Sequence, residues 1–128
     1  MVDGPIFVVI PHPARLLSCD GVVDALPDHR ILRIDLRGHG QSDSPTKAWG
    51  IGAMIHDVER VMDHFGITEA VVAGCSLGGL VAQGLATKRK DLLRGLILSN
   101  TATRLGVASQ WQRQIEAVEA GGIEAVSQ

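Results

Sequence analysis

The sequence has little of what marks a disulfide-rich or metal-binding protein. Of its 128 residues two are cysteines, none is a tyrosine, and 3% are aromatic. Cys19 and Cys75 lie far apart and show neither a CxxC motif nor Cys/His ligand spacing, so a disulfide framework and a metal site are not indicated. We therefore expect no metal, no cofactor and a reducing, cytoplasmic location.

Long apolar runs and an excess of one charge are lacking too. The apolar run at 6–10 is far too short for a signal core or a membrane span. Lys and Arg number 12 against 14 Asp and Glu, which gives a net charge of -2, and no basic stripe alternates with aromatic residues. We expect neither a membrane nor a nucleic acid as a partner. The basic run 88–90 falls where a helix is predicted to end, and we interpret it as a solvated helix terminus.

What the sequence does have is short β-branched runs that alternate with amphipathic segments. This alternation is typical of a parallel sheet with helices on its faces. The chain is long enough for one domain with a core of its own. Strands are predicted at 6–10, 31–35, 71–73 and 96–99, and helices at 18–26, 51–65 and 77–88. After Asn100 a loop is predicted to 108, and Ser109 is predicted to cap a further helix that carries Trp111 and ends at 121–122.

One serine stands between the third predicted strand and its helix, within the stretch AVVAGCSLGGLVA at 70–82. Ser76 has glycines two residues away on each side, Gly74 and Gly78, which is the G-x-S-x-G pattern of a nucleophile elbow. A serine exposed at such a turn takes a strained backbone conformation, and side chains two residues away would collide across the turn. The N–H of Leu77, at the start of the helix, is expected to face a developing oxyanion.

Two further glycines follow, Gly79 and Gly84, and we predict that they let the helix approach the sheet closely. Cys75 is a rival nucleophile, because a helix N-terminus lowers a thiol pKa. The glycines are symmetric about the serine, however, so we expect Cys75 to turn away and pack as a small apolar residue. The alternative to a nucleophile elbow is a purely structural glycine turn in another doubly wound fold. A dinucleotide-binding fold is not indicated, because the segment 38–43 lacks the last glycine of the dinucleotide fingerprint.

Five segments together carry a resemblance to a known family: 34–45 (IDLRGHGQSDSP), 57–66, 72–84, 98–102 and 111–126. The chain resembles the α/β-hydrolase superfamily, and within it the 3-oxoadipate enol-lactonases and their esterase relatives. The resemblance implies a three-layer α/β/α fold with a mostly parallel sheet. It implies that residues 1–100 form an incomplete core of about four central strands, and that residues 101–128 begin a helical lid.

The resemblance also implies a mechanism in which Ser76 attacks the carbonyl carbon of a small-molecule ester or lactone. The oxyanion would be held by the N–H of Leu77 and by a second donor from the loop after the first strand. Pro13 in that loop has no N–H, so Ala14 is the candidate second donor, and a damaged oxyanion hole is the alternative. Arg104 and Trp111 are candidate substrate contacts, with a surface arginine and an apolar anchor of the lid helix as the alternatives.

The family places its acid and then its histidine after the serine, whereas no histidine follows His64 in this sequence. Of the five histidines, His12 and His39 alone are expected near Ser76, and we expect His39 to brace its own loop. A catalytically silent binding domain is therefore the alternative function. Four central strands would leave both sheet edges open, which predicts self-association or a complementing chain. The alternative is that these residues are part of a longer hydrolase.

Overall fold

The computed structural model describes residues 6–10 and 19–126, and within them strands and helices alternate as predicted. The strands are β1 (Ile6–Ile10), β2 (Ile31–Arg33), β3 (Ala70–Cys75) and β4 (Leu93–Ser99). The helices are α1 (Asp20–Ala25), α2 (Ile51–His64), α3 (Leu77–Lys88) and α4 (Ala108–Gly121), followed by a short 3₁₀ helix at Ile123–Val126. No helix of this described part is long and apolar enough to cross a membrane.

The four strands form one parallel sheet in the order β2-β1-β3-β4. One face of the sheet carries Val8, Ile10 and Val72, which are fully buried in a common core with α2 and α3. The opposite face is covered less well, and Phe7 and Ala73 stay partly exposed there. The predicted α/β fold with four adjacent parallel strands is confirmed, and β2 and β4 are its two edges.

Several element boundaries differ from the predicted ones. β4 begins at Leu93, three residues earlier than predicted, because its ladder with β3 starts at the Ala70 and Leu93 pair. The predicted cap at Ser109 is wrong: α4 begins at Ala108 with Val107 as its N-cap residue. The Gln110 side-chain oxygen accepts a hydrogen bond from the Val107 N–H at 3.3 Å, which fixes that start.

The loop after β2 is held by charged and polar side chains, one of which belongs to α2. Arg37 donates two hydrogen bonds to the Asp57 carboxylate, at 2.6 and 2.7 Å, and this partner raises the pKa of the guanidinium. His39 Nδ1 donates to the Arg37 carbonyl oxygen at 2.9 Å. The Asp35 carboxylate accepts from the Gln41 N–H at 3.2 Å, and it fills the space that a Cβ on Gly40 (φ 53°) would need. The expectation that His39 braces this loop is confirmed.

The basic run at the end of α3 ties two helices together. Lys88 forms an ion pair with Glu59 of α2, whose side chain is 9% exposed. Arg89, 26% exposed, lies 3.7 Å from the same carboxylate and donates two hydrogen bonds to Asp91 at 3.2 Å each. The interpretation of the run as a solvated terminus is therefore wrong for Arg89, because a buried glutamate needs cationic partners.

We expect replacement of Asp91 with asparagine to make stability less dependent on pH in acid. The hydrogen bonds from Arg89 lower the Asp91 pKa below its ordinary value of 3.8. A depressed pKa gives a stabilising contribution that is present above the unfolded pKa and is lost as the pH falls through the folded one. The difference in the free energy of unfolding between wild type and Asp91→Asn should therefore shrink below about pH 4. Denaturant unfolding at a series of pH values measures it. A difference that stays constant down to low pH would contradict the prediction. Asp28→Asn, in the turn after α1, serves as the control.

Candidate active site

Ser76 occupies the turn between the end of β3 and the start of α3 in a conformation that is rare for a residue with a side chain. Its φ is 55° and its ψ is -118°. Its backbone N–H donates to the Ser99 carbonyl oxygen of β4 at 3.0 Å. Non-glycine residues at positive φ persist where surrounding contacts hold them, and such residues concentrate at functional sites. The strained backbone predicted at this position is confirmed.

The two glycines that flank the turn are required for different reasons. A Cβ on Gly74 would lie closer than 3.0 Å to the backbone of Gly78, so the predicted collision across the turn is confirmed there. A Cβ on Gly78 would instead lie closer than 3.0 Å to the carbonyl oxygen of Ile10, at the end of β1. Gly78 therefore lets α3 start directly against the neighbouring strand, a contact that the motif alone does not reveal.

The next two glycines of α3 do not face the sheet, so that prediction was wrong. A Cβ on Gly79 would collide with Thr101, in the segment that follows β4. A Cβ on Gly84 would collide with the Ile55 side chain of α2. Gly79 thus makes room for a threonine beside the turn, and Gly84 makes room for helix-to-helix packing.

The carbonyl oxygen of Ser76 accepts hydrogen bonds from three donors. They are the N–H groups of Gly79 at 3.0 Å and Leu80 at 3.3 Å, and the hydroxyl of Thr101 at 2.8 Å. No role was predicted for Thr101 beyond its place in the segment 98–102. Its side chain approaches Ser76 because the chain turns back towards α3 after β4, which a one-dimensional motif does not encode.

A cleft of about 600 Å³ lies beside Ser76, on the less covered face of the sheet. Its walls are mainly apolar and include Phe7 of β1, Val22 of α1 and Ile97 of β4. Cys75 also lines the cleft and is half-buried. The expectation that Cys75 turns away to pack is therefore wrong, because alternate residues of β3 face this side of the sheet and the sheet is only partly covered there.

The comparisons with known proteins agree with this geometry. A family model described as alpha/beta hydrolase fold matches residues 8–121. The chain belongs to the alpha/beta hydrolase fold family. It is 34% identical over 98 residues to 3-oxoadipate enol-lactonase 2 of Acinetobacter baylyi, a match that covers 77% of this chain and 37% of that protein. It is 36% identical over 104 residues to lipase LipV of Mycobacterium tuberculosis, covering 73% of this chain and 39% of that one.

Solved structures of the same family superpose on most of the chain. The enol-lactonase from Burkholderia xenovorans is 32% identical with a TM-score of 0.90, over 97% of this chain and 48% of that one. A hydrolase from Pseudomonas aeruginosa is 34% identical with a TM-score of 0.85, over 91% of this chain and 45% of that one. The chain thus spans about half the length of these solved hydrolases and less than two fifths of the curated relatives just named.

The remaining residues predicted for a hydrolase site do not meet at Ser76 in the part of the chain that is described. Arg104 and Trp111 line a different groove of about 560 Å³ along α3, together with Gln83 and Thr87. The Trp111 indole N–H donates to the Leu105 carbonyl oxygen at 2.6 Å, a contact that anchors the start of α4. Substrate contact by Arg104 or Trp111 stays a prediction and requires this segment to move towards the cleft.

The predictions made for the loop after β1 fall outside the described residues. Ala14, Pro13 and His12 all belong to 11–18, so the second oxyanion donor stays a prediction. Among the residues that are described, His39 points its Nδ1 at the Arg37 carbonyl and is not part of the cleft lining.

Proposed function

We propose that this chain carries the nucleophile of a hydrolase that acts on ester or lactone bonds, with Ser76 as that nucleophile. The observation that carries the proposal is the backbone of Ser76, held at φ 55° at the N-terminus of α3 and beside an apolar cleft. A helix N-terminus stabilises negative charge, and the serine is presented where a carbonyl carbon can approach it.

The proposed reaction follows from the two groups at the turn. The Ser76 hydroxyl oxygen bonds to the carbonyl carbon while its proton passes to a general base, and the carbonyl oxygen becomes an oxyanion beside the Leu77 N–H. The oxyanion then re-forms the carbonyl as the ester or lactone C–O bond breaks, and the leaving oxygen takes a proton. Water hydrolyses the resulting acyl-serine and restores the hydroxyl.

We propose that the general base and its carboxylate partner come from outside these 128 residues. A serine without a base is a weak nucleophile at neutral pH. His39, the one histidine within the described residues that was expected near the serine, uses its Nδ1 to hold its own loop. Either a further part of the same polypeptide or a second chain would supply the histidine and the aspartate, in the order that the family uses.

A small lactone or ester is the substrate class that we propose, on the similarity to proteins named enol-lactonase and esterase. The cleft beside Ser76 has mainly apolar walls, which suits the hydrocarbon part of such a molecule. We also propose a cytoplasmic location, because a chain with two cysteines in 128 residues does not require an oxidising compartment.

Hydrolysis of an activated short-chain ester tests this function, with imidazole added as a replacement base. We expect the rate above the protein-free reaction to rise with imidazole, and we expect the rate of Ser76→Ala to equal the protein-free rate at the same imidazole concentration. Ser109→Ala removes an exposed hydroxyl from α4 and should leave the rate unchanged. Cys75→Ser removes the thiol that is the rival nucleophile, and this variant should keep the wild-type rate. Hydrolysis by Ser76→Ala that exceeds the protein-free rate at the same imidazole concentration would contradict the proposal.

A catalytically silent binding domain is the second candidate, favoured by the absence of any histidine after Ser76 in this sequence. Its cleft would bind a small apolar molecule without turning it over. Calorimetric titration with a non-hydrolysable ether that matches the ester separates the two candidates. Binding of the ether together with no Ser76-dependent hydrolysis at any imidazole concentration would favour the silent domain over the enzyme.

We further propose that a second copy of this chain pairs with the β4 edge. The Ser99 carbonyl faces β3, so the backbone groups of alternate residues, Leu96 and Leu98 among them, face the open edge. The side chains of residues 96–98 are 38%, 51% and 43% exposed. No charge interrupts β4 after Arg94, so two copies can pair without placing like charges opposite each other. The β2 edge is shorter, at three residues, and it ends in the charged Arg33. Pairing of two copies through β2 is therefore less favourable than pairing through β4.

A further inference from the structure

The peptide group between Ser76 and Leu77 is fixed from its carbonyl side. Its oxygen accepts from the Thr101 hydroxyl at 2.8 Å and from two N–H groups of α3. A peptide unit is planar and trans, so its carbonyl and its N–H point in opposite directions and turn together. Whatever holds the Ser76 oxygen therefore also sets the direction of the Leu77 N–H.

Thr101 is held in place from both sides of its own backbone. Ser99, two residues earlier, accepts from the Ser76 N–H at 3.0 Å. Ala102, one residue later, accepts from the Gln83 side-chain amide of α3 at 3.0 Å, and that amide also reaches the Gly79 carbonyl oxygen at 3.2 Å. The segment 99–102 is thus fastened to the turn and to α3, and Thr101 lies at its centre.

The packing around Thr101 restricts where its hydroxyl can point. Its Cβ, Cγ2 and Oγ1 occupy the space directly over Gly79, and a Cβ on that glycine would lie closer than 3.0 Å to all three. A β-branched side chain is stiff about χ1, so contact with Gly79 on one side leaves little rotational freedom. Gly79 and Thr101 therefore act as a pair: the glycine provides the space, and the threonine delivers a hydroxyl to the Ser76 oxygen.

We propose that Thr101 is a positioning residue for the oxyanion site, acting through the Ser76–Leu77 peptide. The inference rests on the proposed function of Ser76. Without the hydroxyl, this carbonyl keeps the two hydrogen bonds from the Gly79 and Leu80 N–H groups. The peptide then tilts more readily, and the Leu77 N–H is aimed less well at the oxygen of the tetrahedral intermediate. The hydrogen bond to the carbonyl also polarises the peptide, which makes its N–H a stronger donor. Thr101 is not part of the cleft lining, and its hydroxyl bonds to the Ser76 carbonyl oxygen and not to the Ser76 hydroxyl.

The substitution Thr101→Val tests this positioning, because valine keeps the branched shape over Gly79 and removes the hydroxyl. Thr101→Ser restores the hydroxyl and removes the methyl group. Thr87→Val is the matched control, because the Thr87 hydroxyl also donates to a carbonyl of α3, that of Gln83 at 3.0 Å, about three helical turns from the serine. All four proteins are compared with imidazole as the base and an activated ester as the substrate, after the protein-free rate at the same imidazole concentration is subtracted.

We expect Thr101→Val to lower kcat about tenfold to a hundredfold with KM nearly unchanged, since loss of a whole oxyanion donor costs about a hundredfold or more. Thr101→Ser should recover most of the rate, and Thr87→Val should lose none. A purely structural role predicts lower stability in both Thr101 variants and no separation of kcat from KM. Equal rates in wild type and in a folded Thr101→Val would overturn the proposal.

The Leu77 amide resonance gives a second readout that does not depend on turnover. In a ¹H–¹⁵N spectrum, Thr101→Val should move the Leu77 amide peak, and Thr101→Ser should return it towards the wild-type position. An unmoved peak in Thr101→Val would overturn the positioning role even if the ester is hydrolysed. If wild type shows no Ser76-dependent hydrolysis, the proposed function fails by itself, and this spectrum still decides whether Thr101 sets the peptide.

Discussion

Replacing Gly78 with alanine is expected to lower the free energy of unfolding by about 1 to 3 kcal/mol, the usual range for overpacking a core. The added methyl group would lie closer than 3.0 Å to the carbonyl oxygen of Ile10, and a backbone atom of a central strand cannot move aside cheaply. Relief requires α3 to shift away from β1, which also displaces Ser76. We therefore expect this variant to lose both stability and any reactivity of the serine.

The control for Gly78→Ala is Gly52→Ala in the first turn of α2. No atom lies within 4 Å of a Cβ placed on Gly52, and the glycine is exposed. Alanine should therefore stabilise the helix, by up to about 1 kcal/mol. Urea unfolding followed by circular dichroism measures both variants. Shifts of opposite sign support the close contact between α3 and β1, whereas equal midpoints for the two variants would contradict it.

The substitution Leu98→Lys is expected to weaken self-association of the 128-residue chain by tenfold or more, a change of about 1.4 kcal/mol. Leu98 lies on β4 and is 43% exposed, and its backbone groups face the open edge. A lysine there places a charge in the proposed strand pair, and its symmetry mate places a second one nearby. Sedimentation equilibrium over a range of concentrations measures the change in the dissociation constant.

Phe65→Lys is the control for the edge, because Phe65 is 62% exposed but follows α2, away from the β4 edge. Phe65 is larger and more exposed than Leu98, and its replacement should nevertheless leave the dissociation constant unchanged. A wild-type chain that stays monomeric at high concentration would contradict pairing through β4. Equal loss of association in both variants would show that exposed apolar surface in general, and not pairing at the β4 edge, causes the association.

The fold could be predicted from the sequence because its signals are local. Short β-branched runs and the three- and four-residue spacing from Ile51 to Phe65 are enough to indicate parallel strands and an amphipathic helix. The serine turn could be predicted for the same reason, since a glycine two residues before the serine is required by atoms within the same turn. These elements kept their identity in the structure, with shifts of a few residues at their ends.

Other features depend on residues that are distant in sequence, and these were missed or wrongly interpreted. Gly84 is small because Ile55 of α2 packs against it, and Gly78 is small because β1 ends there. Arg89 is half-buried because Glu59 and Asp91 lie beside it. Thr101 lies at the site because the chain after β4 turns back towards α3, 25 residues after Ser76. No spacing rule within one segment reports contacts of this kind.

Ser76 is the proposed reactive group, and intact-protein mass spectrometry after treatment with a fluorophosphonate tests this most directly. The serine oxygen bonds to phosphorus, fluoride leaves, and added imidazole takes the proton. We predict a single adduct on wild type and on Cys75→Ser, formed faster as imidazole is added, and no adduct on Ser76→Ala. An adduct that persists on Ser76→Ala, or a folded wild-type chain that forms none with imidazole present, would contradict the account.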